Sequence, residues 1–241
     1  MTVVLLGVVW VLVLTGIVGT RLLLGVGLYR SAVAAGLGRP RAMTVAVVAV
    51  GLLLAWVAAS WLLAYDGVYQ AGPWGPVAFA VVLVALLAST RIPVMARVLA
   101  APGTSADLVR AQSFRVVGVL FLIMMFLGKA PALFAVPTGL GDFAIGLAAP
   151  WIARALARGT GRREAVRFNV LGIVDYAVAL VTGMVSSLVF AGPSDTALGM
   201  APLVLIITTA GPLGAAMHIV SLRRLSGSPT TIPPQTGLAT A

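Results

Sequence analysis

The chain has no cysteine, one histidine, one lysine and only six acidic residues in 241 positions. Without cysteine there is no disulfide, no cysteine-ligated iron–sulfur cluster and no thiol nucleophile. A single histidine, His218, excludes a bis-histidine haem. With so few carboxylates, a usual metal site of three or more protein ligands is not expected either. No G-x-S-x-G, H-E-x-x-H or G-x-x-x-x-G-K-[ST] pattern occurs. A serine-hydrolase elbow, a zincin helix and a nucleotide-binding P-loop are therefore not expected. The sequence leads us to expect no cofactor, no metal, no catalytic residue and no enzyme activity.

Charge is also scarce. Charged residues make up 9% of the chain, where a soluble domain carries about a quarter. In their place the chain is 61% hydrophobic, with a mean hydropathy of +1.10. A helix that is apolar all round suits lipid better than water. The fold class expected is all-α: a polytopic transmembrane helix bundle of about seven spans. A span needs about 20 apolar residues. The apolar runs predict spans near 2–20, 43–65, 76–96, 116–134, 137–155, 169–191 and 198–222. Residues 1–224 form one domain on this reading, and 225–241 a disordered cytoplasmic tail rich in Pro, Thr, Ser and Gly. The first run has no basic start and no evident cleavage site, so it reads as a span rather than a removed signal peptide.

The formal net charge is +10, and fifteen of the sixteen basic residues are Arg. In a soluble domain this would suggest nucleic acid; here the basic residues fall between apolar runs, and no nucleic acid is expected. Arg21, Arg30, Arg39 and Arg41 follow the first run, and Arg97, Arg110 and Arg115 the third. Arg154, Arg158, Arg162, Arg163 and Arg167 follow the fifth, and Arg223 and Arg224 the last. The other loops hold Asp66, no charge, and Asp195. Basic loops stay in the cytoplasm, so the alternation predicts the N-terminus outside and the C-terminus inside. It also requires two spans within Val116–Ala153, with a turn near Phe134–Pro137. Trp61, Tyr65, Tyr69 and Trp74 would form an outer aromatic belt. The lipid bilayer is the expected partner, with anionic headgroups at the Arg-rich loops.

Gln112, Arg115, Gly118, Pro131, Pro137, Gly141-Asp142, Gly146 and Pro150, followed by Asn169, Gly172 and Asp175, form a pattern. It resembles a group of uncharacterised bacterial multi-pass membrane proteins. That resemblance implies the bacterial cytoplasmic (inner) membrane and carries no activity.

Ionisable residues at bilayer depth are functional candidates. Lys129 and Asp142 flank the expected turn, each about 10 Å below the outer surface at 1.5 Å per residue. They are read as a salt bridge closing the hairpin, as an ion or proton site open to the outside, or with Lys129 simply facing headgroups. Asp175 lies about 12 Å beyond Arg167. It shares a helix face with Gly172, Ala179, Thr182 and Ser186, and Asn169 lies near its edge. That stripe suits either helix packing or a polar cavity. His218, about 7 Å from Arg223, approaches Asp175 if the last two spans are neighbours. The candidate site is thus Lys129, Asp142, Asn169, Asp175 and His218. A non-catalytic membrane component or partner subunit accounts for these features most simply. A small-solute or proton/ion transporter using Asp175, Asp142 and Lys129 ranks next, and a lipid-acting intramembrane enzyme last.

Overall fold

The structure, a computed structural model, describes residues 3–189 and 199–227. No strand occurs among the described residues. The helices are α1 (Val3–Ala34), α2 (Arg39–Tyr65), α3 (Trp74–Ser89), α4 (Pro93–Ala100) and α5 (Thr104–Ala111). They continue as α6 (Val119–Phe126), α7 (Ala132–Ala157), α8 (Arg162–Val189) and α9 (Gly211–Ser226). A 3₁₀ stretch, Gln112–Gly118, joins α5 to α6 without a break. Five helical stretches are long and apolar enough to cross a membrane: Gly7–Ala34, Arg39–Tyr65, Thr104–Phe126, Ala132–Ala157 and Arg162–Ser187. The pair α3 and α4 makes a sixth if it is one span bent by 82°.

The last expected span, 198–222, is built differently. The π-helical turn Ile206–Ala210 leads into α9, which is only 16 residues long. The irregularity has a local cause. Pro212 has no N–H, so the carbonyl of Thr208, four residues back, loses its helical donor. The Trp56 indole N–H donates to that carbonyl instead, at 2.8 Å. Every residue from Gly211 to His218 is buried, because α9 packs against α3, α5 and α8 together. Small residues permit that approach: Gly211 faces the Phe79 ring and Gly214 the Tyr176 hydroxyl.

Four expectations are corrected. The turn in Val116–Ala153 falls at Leu127–Pro131, not Phe134–Pro137. Gly128 takes φ +66° there, a left-handed conformation that ends α6, while Pro137 is accommodated inside α7. The apolar stretch expected to start at 116 starts at Thr104 instead, and Arg115 lies inside it. α1 runs on to Ala34, so Arg21 sits within the helix, 1% exposed, rather than in a loop. Tyr69 leaves the aromatic belt: it is buried, its hydroxyl 3.1 Å from Ser60 Oγ. Of the expected tail, residues from 228 on lie outside the described residues.

The core has two main parts. Val9, Val13 and Ile17 of α1 pack with Leu120, Phe121 and Met124 of α6 and with Phe134 of α7. Towards the other end of α1, Leu24 and Leu28 pack with Ala42, Ala46, Val98, Leu108, Leu213 and Met217. Between these layers the polar residues of α5–α9 come together.

Candidate functional site

The 3₁₀ stretch positions the first residues of the site. With 3.0 residues per turn, side chains three apart lie one above another. Gln112, Arg115 and Gly118 therefore point to the same side, into the bundle. Gln112 Nε2 donates to the Gly214 carbonyl at 2.9 Å, tying this stretch to α9. Gly118 leaves room for Asp142, whose carboxylate occupies the space a Cβ would need.

Arg115 is the hub. Its Nε donates to Asp142 Oδ1 at 2.7 Å, and its Nη2 reaches the same oxygen at 2.6 Å. Nη2 also donates to Asp175 Oδ2. Nη1 lies 3.1 Å from His218 Nε2. The guanidinium carbon stands 4.2 Å above the centre of the Tyr176 ring, a cation–π arrangement. The Arg115 side chain is 8% exposed. A lone charge at that depth in lipid costs several kcal/mol, so paired acids are what it requires.

The hydrogen bonds fix the state of the histidine. Arg115 can only donate, so His218 Nε2 accepts and the imidazole is neutral. Its Nδ1 carries the proton and donates to Asn169 Oδ1 at 3.0 Å. Asn169 Nδ2 in turn donates to the Ala165 carbonyl at 2.7 Å and to Ser221 Oγ at 3.1 Å. With both carboxylates ionised, one guanidinium, two carboxylates and a neutral histidine sum to one net negative charge. Glycines let the helices close around this group: Gly141 faces Asp175, Gly172 faces the His218 ring, and Gly146 faces the backbone at Arg115–Val116.

A cavity of about 680 Å³ reaches this cluster. Asp142, Asp175 and Tyr176 lie at its polar end, with Phe79, Phe121 and Phe134 among its walls. It extends to Tyr69, Gln70 and Pro73, at the end of the bundle where α2 gives way to α3. Ser187 and Gly199 border it on either side of residues 190–198, which lie outside the described residues. No group of three or more metal-ligating side chains occurs among the described residues.

Four of the five expected site residues, Asp142, Asn169, Asp175 and His218, therefore meet. Lys129 does not. It is exposed on the Leu127–Pro131 turn, and no carboxylate lies within ion-pair distance of it among the described residues. Asp142 is ten residues into α7 from Ala132, about 15 Å along the helix, and its partner is Arg115. The residue that sequence reasoning missed is Arg115 itself, taken for a loop residue beside Arg110. The period-three spacing Gln112–Arg115–Gly118 was the available signal. Arg21 was missed in the same way. Its Nη1 donates to the Ile17 carbonyl at 2.8 Å, while Nε and Nη2 are buried without a partner among the described residues.

The model of the family described as a domain of unknown function (DUF8737) matches residues 73–226, and the chain belongs to that family. The matched stretch holds Arg115, Asp142, Asn169, Asp175 and His218, the whole cluster, and leaves out α1 and α2. No curated protein and no solved structure matches the chain.

Proposed function

We propose that this protein is a small-solute or proton/ion transporter of the bacterial cytoplasmic membrane, with Asp142 and Asp175 as its binding groups and Arg115 as their holder. The observation that carries this reading is the cavity that ends on both carboxylates. Intramembrane acids are costly and are kept where an ion or solute passes. Arg115 takes the place first assigned to Lys129. The basic residues around Arg154–Arg167, and Arg223 and Arg224, support seven spans with the C-terminus inside. On that orientation the cavity opens outward. The arginine-rich inner loops suit anionic headgroups.

The other reading, a non-catalytic membrane component or partner subunit, is favoured by how well Arg115, His218 and Asn169 satisfy one another. On that reading the cluster would only join the 3₁₀ stretch, α7, α8 and α9. Against it, no hydrogen bond reaches Asp142 Oδ2 or Asp175 Oδ1 among the described residues. A purely structural cluster would be expected to pair those oxygens.

The test is flux. Purified protein is reconstituted in liposomes on a solid-supported membrane, and currents are recorded on jumps of pH, Na⁺, K⁺ and small organic cations. The wild type is expected to respond to at least one of these above protein-free liposomes, and Asp175→Asn to return to background. No response to any of them would overturn the transport reading.

A further inference from the structure

From the cavity and its free acceptors we infer that the solute is a lipophilic organic monocation carrying N–H groups, a protonated primary amine attached to an apolar or aromatic body. This rests on the transport reading and names the chemistry of its site.

Three observations converge on it. The first is charge. With both carboxylates ionised, the Arg115–Asp142–Asp175–His218 group carries one net negative charge, the histidine being held neutral by its hydrogen bonds. A single positive charge entering the cavity brings the cluster to zero, which a low-dielectric site favours. A dication or an anion would leave it unbalanced.

The second is a set of acceptors unused among the described residues, Asp142 Oδ2 beside Gly118 and Asp175 Oδ1 beside Gly141. Asp142 Oδ2 and Asp175 Oδ1 accept nothing from the described residues. Thr138 lies one turn before Asp142 on the same face of α7 and borders the cavity. It is 4% exposed, and its hydroxyl has no partner among the described residues. Elsewhere in this chain buried threonines return their hydroxyl to the backbone: Thr208 to Val204 at 3.0 Å, Thr209 to Leu205 at 2.6 Å, Thr104 to Ala101 at 2.9 Å. A buried hydroxyl left unpaired costs free energy that a ligand can recover. An ammonium has three N–H donors and no acceptor. Two carboxylate oxygens and a hydroxyl are the complement it needs.

The third is the wall. Phe79, Phe121, Phe134 and Tyr176 surround the same space. Their apolar area would be wasted on a bare inorganic ion, which keeps its water. It suits a hydrocarbon or aromatic body, and aromatic faces also attract a cation.

The experiment uses the full chain in mild detergent and three probes of one shape: 2-phenylethylammonium, the neutral 2-phenylethanol and the anionic 3-phenylpropionate. Binding is measured by isothermal titration calorimetry. The ammonium is expected to bind saturably, about tenfold or more tighter than the alcohol, as a charge-assisted hydrogen bond implies, and the carboxylate not at all. Asp175→Asn is expected to reduce the ammonium to the level of the alcohol. Thr138→Val, which keeps shape and removes the hydroxyl, is expected to weaken it about two- to tenfold, while Lys129→Met leaves it unchanged. Equal binding of ammonium and alcohol, or full binding by folded Asp175→Asn, overturns the inference. Counterflow of labelled 2-phenylethylammonium in liposomes separates the two proposals. Binding without counterflow keeps the amine site and refutes transport. Proton or metal-ion flux that needs Asp175, without amine binding, keeps transport and refutes the amine.

Discussion

Replacing Arg115 with methionine keeps a long apolar side chain in place and removes every charge-assisted contact at the centre of the bundle. Asp142 loses two donors, at 2.7 and 2.6 Å, Asp175 loses its one donor, and His218 Nε2 loses the partner at 3.1 Å. Two carboxylates are then left facing each other with no cation. Removing one partner of a buried ion pair costs about 3–5 kcal/mol, because the remaining charge stays desolvated. For a chain of this size that corresponds to a fall in Tm of roughly 6–20 °C. Asp175→Asn behaves differently: it leaves a balanced one-to-one pair, Arg115 with Asp142, and its expected cost is that of one hydrogen bond, about 0.5–1.5 kcal/mol. The triple variant Arg115→Met/Asp142→Asn/Asp175→Asn removes all the charges at once. It is expected to regain at least half of what Arg115→Met loses, since groups in one network do not add. The assay is thermal unfolding of the four proteins in the same mild detergent, followed by intrinsic fluorescence. An Arg115→Met variant within about 1 kcal/mol of wild type would refute the reasoning. So would a triple variant no more stable than Arg115→Met.

Two further changes test the corrected positions. Lys129→Met removes a charge exposed on the Leu127–Pro131 turn and is expected to shift stability by no more than about 0.5 kcal/mol. A loss of several kcal/mol in the same unfolding assay would restore the Lys129–Asp142 hairpin pair. Arg21→Leu replaces a guanidinium whose Nε and Nη2 are buried without a partner among the described residues. It is expected to raise stability by about 1–3 kcal/mol; a clear loss would mean that those nitrogens have a partner in the membrane-embedded protein.

Much of the architecture was legible in composition and order. Apolar runs of helix length, interrupted by arginines, specify lipid-embedded helices whatever their neighbours are, because each helix satisfies its own backbone. α2, α7 and α8 hold most of the runs read at 43–65, 137–155 and 169–191, with α7 beginning five residues earlier and α8 seven. Asp142, Asn169, Asp175 and His218 were legible as well, since a polar residue inside an apolar run stands out with no knowledge of contacts. Arg21 and Arg115 escaped for the opposite reason. Arginine at the edge of an apolar run looks the same whether the chain leaves the membrane there or stays helical. Only the extension of α1 to Ala34 and the start of α5 at Thr104 carried both inside. Tertiary structure alone decided which acid meets which base. Lys129 and Asp142 are near in sequence and fit an idealised hairpin. A single left-handed glycine at 128 moved the turn, and a 3₁₀ stretch on the preceding helix aimed Arg115 at Asp142 instead. Whether a buried charge holds the fold or serves a solute depends on which of its atoms remain unpaired beside a cavity, and that follows only from how the helices pack.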